Sequence, residues 1–261
     1  MRDFERSGDV MRVGSVSGYT NVNYGTISSG KKINSAADDA AGLTQVQKLE
    51  SQNNGLNAGA SNAKDGLNLT KVADGALSGI QDYLQSIREA SVKASSGLRT
   101  NADKKAIQKE IDGYLQGITD IVSSTTFNTK NVLNGEGSID MAVNPDGSGP
   151  SVKTGNATLQ ALGIDGYDVT GKFDISRIDK AIDKVSSARS GMGSSANALE
   201  RAYNYNMNAA ENLTGSQSRL EDLDLPKAIS EQKKNEVLDE YKNMMLRKQM
   251  DEESLVTKLL K

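Results

Sequence analysis

Small and apolar residues recur at alternating intervals of three and four along residues 43–98, a stretch without proline. The series runs Leu56, Ala60, Ala63, Leu67, Thr70, slips in phase near Ala73, and resumes as Leu77, Ile80, Leu84, Ile87, Ser91, Ala94 and Leu98. This spacing keeps one narrow apolar stripe against a partner helix, as in a coiled coil. A helix over 44–98 would be about 80 Å long, which no globular core spans. The pattern therefore predicts one long helix of a helical rod.

Three further helices are predicted after a turn at 95–101. The first begins at a capping box, Thr100 to Asp103. The second begins at Ser176 and has the strictest heptad pattern, with Arg189, Asn206 and Gln217 on its apolar stripe. These polar residues are expected to lower stability but to fix the register of the helices. The third begins at the sequence Asp224-Leu225-Pro226, with the aspartate as its cap.

Residues 134–175 differ in character, because two of the three prolines and several glycines fall there. Alternating residues at 138–143 and the turn sequence Asn144-Pro145-Asp146-Gly147 predict one or two small β-hairpins. The predicted fold is mainly α: an elongated antiparallel coiled-coil helical rod with a small β-hairpin region in the middle of the chain. The predicted segments are an N-terminal segment 1–42, a first rod half 43–133, the short insertion 134–175, a rod helix 176–223 and a terminal helix 224–261.

Composition supports a thin helical assembly and argues against catalysis. Only 36% of the residues are hydrophobic and 4% aromatic, which suits helix–helix packing better than a thick core. The net charge of -3 favours neither nucleic acid nor an anionic membrane as a partner. Without His or Cys, the chain lacks the commonest general base, the thiol nucleophile and most zinc ligands. We therefore expect no enzyme activity, no cofactor and no metal site.

Two short motifs carry a family resemblance. The first spans 29–42, and the second, Ser218 to Asp224, comes just before the terminal helix. Both are similar to motifs of bacterial flagellins. The residues that carry the match are Ser29, Gly30, Ile33, Asn34, Ser35, Asp38, Asp39, Gly42, Arg219, Glu221 and Asp222. The adjacent acidic pair Asp38 and Asp39 is interpreted as a loop or helix-start feature beside the positive end of the long helix.

The resemblance implies a structural subunit of the flagellar filament that carries the rod domain but not the large outer domains of longer flagellins. It further implies secretion through the flagellum's own export machinery and helical assembly with itself or other flagellins. Nucleic acid and membrane are not expected as partners. Three alternatives stay open: a non-polymerising or minor flagellin-like protein that acts as an interaction module, a hook–filament junction protein, and a cytosolic coiled-coil scaffold.

Both terminal segments depart from the flagellin pattern. Gly14, Gly18 and Gly25 interrupt the apolar residues of the first segment, and each helical glycine costs about 1 kcal/mol relative to alanine. The terminal helix is rich in Lys, Arg, Asp and Glu, whose burial without partners would cost several kcal/mol each. We therefore expect frayed ends and weak homopolymerisation. No cleavable signal peptide is predicted, and translation starting at Met11 is as compatible with the sequence as a start at Met1.

One further set of residues resembles the surface by which flagellins bind the animal Toll-like flagellin receptor. The set comprises Gln85, Ser86, Arg88, Glu89, Ala90 and Glu110. The family commonly has arginine at the position of Ser86 and leucine at that of Ala90, so the resemblance implies docking with poor signalling. The alternative is that Ser86 and Ala90 are ordinary helix-surface residues.

Overall fold

The computed structural model describes residues 24–259. Residues 24–29 are helical, and the remaining elements follow in chain order. They are α1 (Ala40–Ala94), α2 (Asn101–Ser124), β1 (Thr126–Phe127), β2 (Lys130–Asn131), β3 (Asn134–Asp140), β4 (Ser151–Asn156), α3 (Leu159–Leu162), α4 (Ser176–Glu221) and α5 (Leu225–Leu259). The mainly α class with a small antiparallel β region in mid-chain is confirmed. Gly14 and Gly18 lie outside the described residues.

Helix α1 follows the predicted stripe, with two differences. Leu69 is buried where the phase slips, whereas Leu67 is only half-buried, because the slip turns the apolar stripe by about one residue. The helix also ends at Ala94, four residues before the predicted end. Leu98, expected as the last residue of the stripe, is instead 93% exposed in the connection to α2.

Helix α2 begins with the predicted capping box. The Asp103 amide donates to the Thr100 hydroxyl at 3.2 Å, and the Asp103 carboxylate accepts from the Thr100 amide at 3.0 Å. This reciprocal pair satisfies two donors that the start of a helix leaves free. The buried face of α2 comprises Ile111, Leu115, Ile118 and Val122.

Helix α4 runs antiparallel to α1 within residues 51–213. Arg88 of α1 pairs with Asp179 of α4, Nε to Oδ1, at 2.7 Å. Further along α4, Arg189 reaches back to Asp74 of α1 at 2.8 Å and to Gln81 at 2.9 Å. Partners on α1 therefore move toward its N-terminus as α4 advances. Arg189 has bonding partners on α1, and a role for it in fixing the register stays a prediction.

Two small hairpins follow α2. The first, β1–β2, turns through Asn128 and Thr129, which have φ of 48° and 66°. Positive φ at both central residues matches the twist of paired strands. The second joins β3 to β4 with Ile139 opposite Val152, and its turn closes where the Gly147 amide donates to the Asn144 carbonyl at 3.0 Å. The predicted turn at Asn144–Gly147 is confirmed.

The chain divides into two compact units, one containing 24–50 with 214–259 and the other 51–213. The main hydrophobic core lies entirely in the second unit, where α1, α2, α4 and the segment 157–169 contribute to it. The division places the two ends of the described chain in one unit. The five segment boundaries predicted from the sequence remain predictions. No helix among residues 24–259 combines the length and hydropathy that a membrane span requires.

Candidate functional site

The loop before α1 is held by two adjacent carboxylates. Asp38 Oδ2 accepts hydrogen bonds from the amides of Asn34 (3.0 Å) and Ser35 (2.9 Å) and from the Ser35 hydroxyl (3.1 Å). These donors, the Asn34 amide first, hold the pKa of the Asp38 carboxyl below its ordinary value. Asp39 Oδ1 accepts from the amides of Ala41 and Gly42 and so caps α1. The two aspartates are therefore loop and cap residues, as interpreted from the sequence.

Gly42 allows this loop to close on the first turn of α1. A Cβ at this position would lie 2.4 Å from Asp39 Oδ2 and 2.7 Å from Ile33 Cδ1. Ile33 is buried, so its side chain has little room to move away. A Cβ at position 42 would therefore require the Asp39 and Ile33 side chains to shift.

The loop pairs with the end of α4 through backbone hydrogen bonds. The Lys32 amide donates to the Glu221 carbonyl at 2.7 Å, and the Leu223 amide donates to the Gly30 carbonyl at 2.9 Å. Gly30 has φ of 70°, which favours glycine at this turn. We call this arrangement, residues 30–32 against 219–223, the clasp. It joins the two motifs that carried the family resemblance.

An ion pair reinforces the clasp. Lys31 Nζ lies 2.5 Å from Glu221 Oε1, and the Glu221 side chain is 9% exposed against 49% for Lys31. Gln217 donates to the other Glu221 oxygen at 3.1 Å. The hydrogen bond from Lys31 lowers the pKa of Glu221 against the opposing effect of burial, and the same bond raises the pKa of Lys31. A nearly buried carboxylate is thereby kept ionised.

The remaining motif residues support the clasp from both sides. Lys32 Nζ donates to the Arg219 carbonyl at 2.8 Å. Arg219 itself donates to the Ser216 hydroxyl, and Asp222 accepts from the Ser218 hydroxyl. Ser29 accepts from the Lys31 amide at 3.2 Å. Sequence reasoning missed Lys31 and Lys32, although two cations in one motif and two acids in the other were an available signal.

The residues expected to face a receptor do not share one surface. Ala90 is 2% exposed and belongs to the hydrophobic core, so the expectation that it faces a receptor or the solvent is wrong. Its small side chain lies where α1 packs tightly, which the residue type alone did not reveal. Arg88 is exposed but paired with Asp179, and Ser86 is half-buried with its hydroxyl on the Asp82 carbonyl. Gln85 is exposed.

Glu89 and Glu110 are exposed and flank a tyrosine. The Tyr114 hydroxyl donates to Glu110 Oε1 at 2.9 Å. That bond, with a further contribution from the charge of Glu89, raises the pKa of Tyr114. The Tyr114 and Tyr83 rings lie 6.0 Å apart. This acidic, aromatic patch is accessible, as are Gln85 and Arg88 of the expected receptor surface.

Several carboxylates of the described chain make local structural hydrogen bonds. Among residues 24–259, no three Asp or Glu side chains come together as a metal-binding group would. The carboxylates with a lowered pKa, such as Asp38 and Asp103, are helix caps or turn residues whose hydrogen bonds are local. The clasp is a structural contact.

Comparison with known proteins identifies the family. Residues 21–138 match the model of the bacterial flagellin N-terminal helical region, and 175–260 match that of the C-terminal helical region. The chain belongs to the bacterial flagellin family. It is a structural subunit of the bacterial flagellar filament. Both halves of the clasp, near Lys31 and near Glu221, lie inside the matched regions.

Relatives of similar length match nearly from end to end. The flagellin of Bacillus subtilis is 34% identical, with 90% of each chain covered. Flagellin FlaB1 of Treponema pallidum is 32% identical over 88% of this chain and 89% of its own. A flagellin of Escherichia coli is 40% identical over 56% of this chain but only 27% of its own length. This protein is therefore a short flagellin, in which 139–174 separates the two matched regions.

Proposed function

We propose that this flagellin leaves the cell through the flagellar export machinery and assembles outside it, with itself or with other flagellins, into a helical filament. Its role is structural and non-enzymatic, and requires neither nucleic acid nor a membrane as a partner. The clasp is the observation that supports this role best. It fixes residues 30–32 beside residues 219–223, so that the helical segment 24–29 and α5 are presented together to a neighbouring subunit.

A second contact joins the helical segment 24–29 to α5. The Tyr24 hydroxyl donates to Glu236 Oε1 of α5 at 2.9 Å. Residue 24 belongs to the described helical segment 24–29, so the segment and α5 lie side by side. Paired terminal segments present one combined surface to a neighbouring subunit.

Self-assembly is expected to be weak because of the surface of α5. Its exposed large apolar residues are interspersed with many charges, and the ion pair Lys242 to Asp239 is long, at 3.7 Å. Burying such a helix against a neighbour removes charges from water, which costs free energy unless each charge finds a partner. This observation also favours the alternative of a minor flagellin that grows beside a more abundant one.

Electron microscopy of the purified full-length protein under polymerising conditions tests weak self-assembly and growth as a minor flagellin. The protein is examined alone and mixed with a second flagellin of comparable length. Short or salt-sensitive filaments alone, and stable mixed filaments, are the expected result. Long filaments insensitive to salt would contradict weak self-assembly, and no incorporation in either preparation would contradict the filament role.

We also propose that the protein docks on the animal Toll-like flagellin receptor but signals poorly. The accessible patch of Glu89, Tyr114 and Glu110 supports docking. Ser86, half-buried beside this patch, supplies no cation, and arginine is a frequent interface hot spot. Because Ala90 is in the core, the informative change is Ser86→Arg alone.

Binding of the receptor ectodomain to the native chain and to Ser86→Arg tests this proposal. An affinity about tenfold higher for the variant is expected, which corresponds to about 1.4 kcal/mol. Ser61→Arg is the matched control, since Ser61 is an exposed serine on the same helix. Equal affinity for all three proteins would contradict the proposed importance of position 86.

A further inference from the structure

Methionine is the residue of this chain that mild oxidants attack most readily. The chain contains no cysteine and no tryptophan, whose side chains would otherwise compete for an oxidant. Addition of one oxygen atom converts a methionine thioether into a sulfoxide, and a flexible apolar side chain thereby becomes polar. Oxidation of this protein therefore falls first on its methionines.

The methionines of the described chain differ widely in exposure. Met244, Met245 and Met250 of α5 are 67%, 50% and 68% exposed. Met207 of α4 is 44% exposed, whereas Met192 of α4 is only 3% exposed and belongs to the hydrophobic core. Exposed sulfur is oxidised first, because a dissolved oxidant reaches it without any opening of the fold. Helix α5 therefore carries the most accessible methionines among the described residues.

The positions of these methionines around α5 separate them into two groups. Four apolar residues, each more than half exposed, fall within an arc of about 60° around the helix and form what we call the α5 stripe. The α5 stripe comprises Val237, Tyr241, Met244 and Leu255. At about 3.6 residues per turn, Met245 lies about 40° beyond Tyr241, at the edge of the stripe, whereas Met250 lies about 120° or more from every member. The Tyr24 hydroxyl contacts α5 at Glu236, about 80° or more from the stripe, so this contact leaves the stripe uncovered.

We propose that Met244 and Met245 form a reversible oxidation site for peroxide, and that oxidation of this site weakens assembly through α5. A lone pair of the methionine sulfur attacks one oxygen of hydrogen peroxide, the O–O bond breaks, and the departing hydroxide takes the remaining peroxide proton to form water. The sulfur is oxidised by two electrons and the peroxide is reduced by two. Methionine sulfoxide reductases return the product to the thioether, with one enzyme for each sulfoxide epimer.

The effect on assembly rests on the proposed filament role, in which a neighbouring flagellin subunit covers apolar surface of α5. Met244 is part of the α5 stripe, so its sulfoxide oxygen would be withdrawn from water into that contact. Burying a polar group without a hydrogen-bond partner costs free energy. Oxidation of Met244 therefore weakens the contact, whereas oxidation of Met250, on another side of the helix, leaves it unchanged.

Oxidation of the free full-length protein with hydrogen peroxide tests the site. After the peroxide is removed, the chain is digested with trypsin and analysed by mass spectrometry. Cleavage after lysine and arginine yields the peptides 243–247, 249–258 and 190–201, so the Met244–Met245 pair, Met250 and Met192 are measured independently. Met244 and Met245 should oxidise about tenfold faster than Met192, and all rates should become equal in guanidinium chloride. Comparable rates for Met192 and the α5 pair in the folded protein would overturn the site.

Sedimentation of filaments tests the effect on assembly. Peroxide-treated protein should enter filaments about fivefold less than untreated protein, and treatment with both methionine sulfoxide reductases should restore its incorporation. Met244→Gln, which places a permanent polar group in the α5 stripe, should reproduce the loss. Met250→Gln is the matched control, since Met250 is as exposed as Met244 but lies off the stripe.

The two variants also separate failure of this inference from failure of the filament role. An equal loss in both variants, or no loss in Met244→Gln, would overturn the coupling of oxidation to assembly and leave the filament role intact. Untreated protein that enters no filament, alone or mixed with a second flagellin, would refute the filament role. The peroxide rates of the free protein would still decide whether Met244 and Met245 are the oxidation site.

Discussion

Helices α4 and α5 follow each other in the chain but are stabilised differently. Ile178, Val185 and Leu199 of α4 are fully or almost fully buried in the core. In α5, Val237, Tyr241 and Met244 are each more than half exposed. Both helices have apolar residues at helical spacing, so periodicity alone does not separate them. The difference shows that α4 serves the stability of the subunit, whereas α5 carries surface that the described chain leaves uncovered.

The largest expected effect lies in the core that α4 shares with α1. Leu84→Ala removes a side chain with no exposed surface, and such changes cost about 2–5 kcal/mol. Urea unfolding followed by circular dichroism measures the loss. Leu246→Ala in α5 is the matched change at a half-exposed leucine, with an expected effect of about 0.5 kcal/mol or less. Equal losses would remove the contrast between the two helices.

The next effect concerns a glycine of α1 beneath the turn between β3 and β4. A Cβ at Gly59 would lie 2.0 Å from the Val143 carbonyl oxygen, which also accepts from buried Asn206 at 2.7 Å. Gly59→Ala should destabilise by about 1–3 kcal/mol, because the turn must move and overpacking is costly. Thermal unfolding of wild type and variant measures this loss of stability. Gly75→Ala, at an open helical position, should instead stabilise by about 0.5–1 kcal/mol.

A smaller effect is expected at the clasp, with a defined pH dependence. Glu221→Gln should cost about 1 kcal/mol near neutral pH, since Lys31 is half exposed and its attraction is partly screened. The folded-state pKa of Glu221 is lowered, so its contribution is present above the unfolded-state value and disappears as pH falls through the folded-state value. Unfolding free energies of wild type and variant should therefore converge in acid. A difference that grows as pH falls would contradict the ion pair.

The smallest effect is expected on the surface of α5. Lys242→Ala removes a long, exposed ion pair with Asp239 and should change the unfolding free energy by less than about 0.5 kcal/mol. Differential scanning calorimetry resolves a shift of this size. A loss comparable to that of Glu221→Gln would show that α5 is more firmly held than its exposure indicates.

Local patterns predicted the local features well. Spacing predicted α1, α2 and α4, and the caps at Thr100 and Asp224 follow from residue types. Non-local packing was not predictable. Tyr167, in the middle segment, is buried and donates to buried Ser91 at 3.1 Å, so that segment completes the core.

The clasp is another non-local contact that the sequence did not predict. Its two motifs were recognised separately, and the roles of the aspartates before α1 could be interpreted from their position. The contact between Lys32 and Arg219, however, spans 187 residues, and nothing in one sequence specifies that distance in space. Burial of Ala90 was missed for a related reason. Alanine occurs on both the buried and the exposed faces of helices, so only its packing partners determine whether it is buried.

The glycines of α1 have a mechanical consequence. Gly59 receives the Val143 carbonyl, and at Gly66 a Cβ would approach Leu199 of α4 to 2.9 Å. If α1 advanced by one residue along its own helical screw, Ala58 or Ala60 would meet the Val143 oxygen in place of Gly59. The contact therefore opposes a one-residue shift of α1 in either direction. A subunit loaded along its helices would resist such a shift through this steric contact.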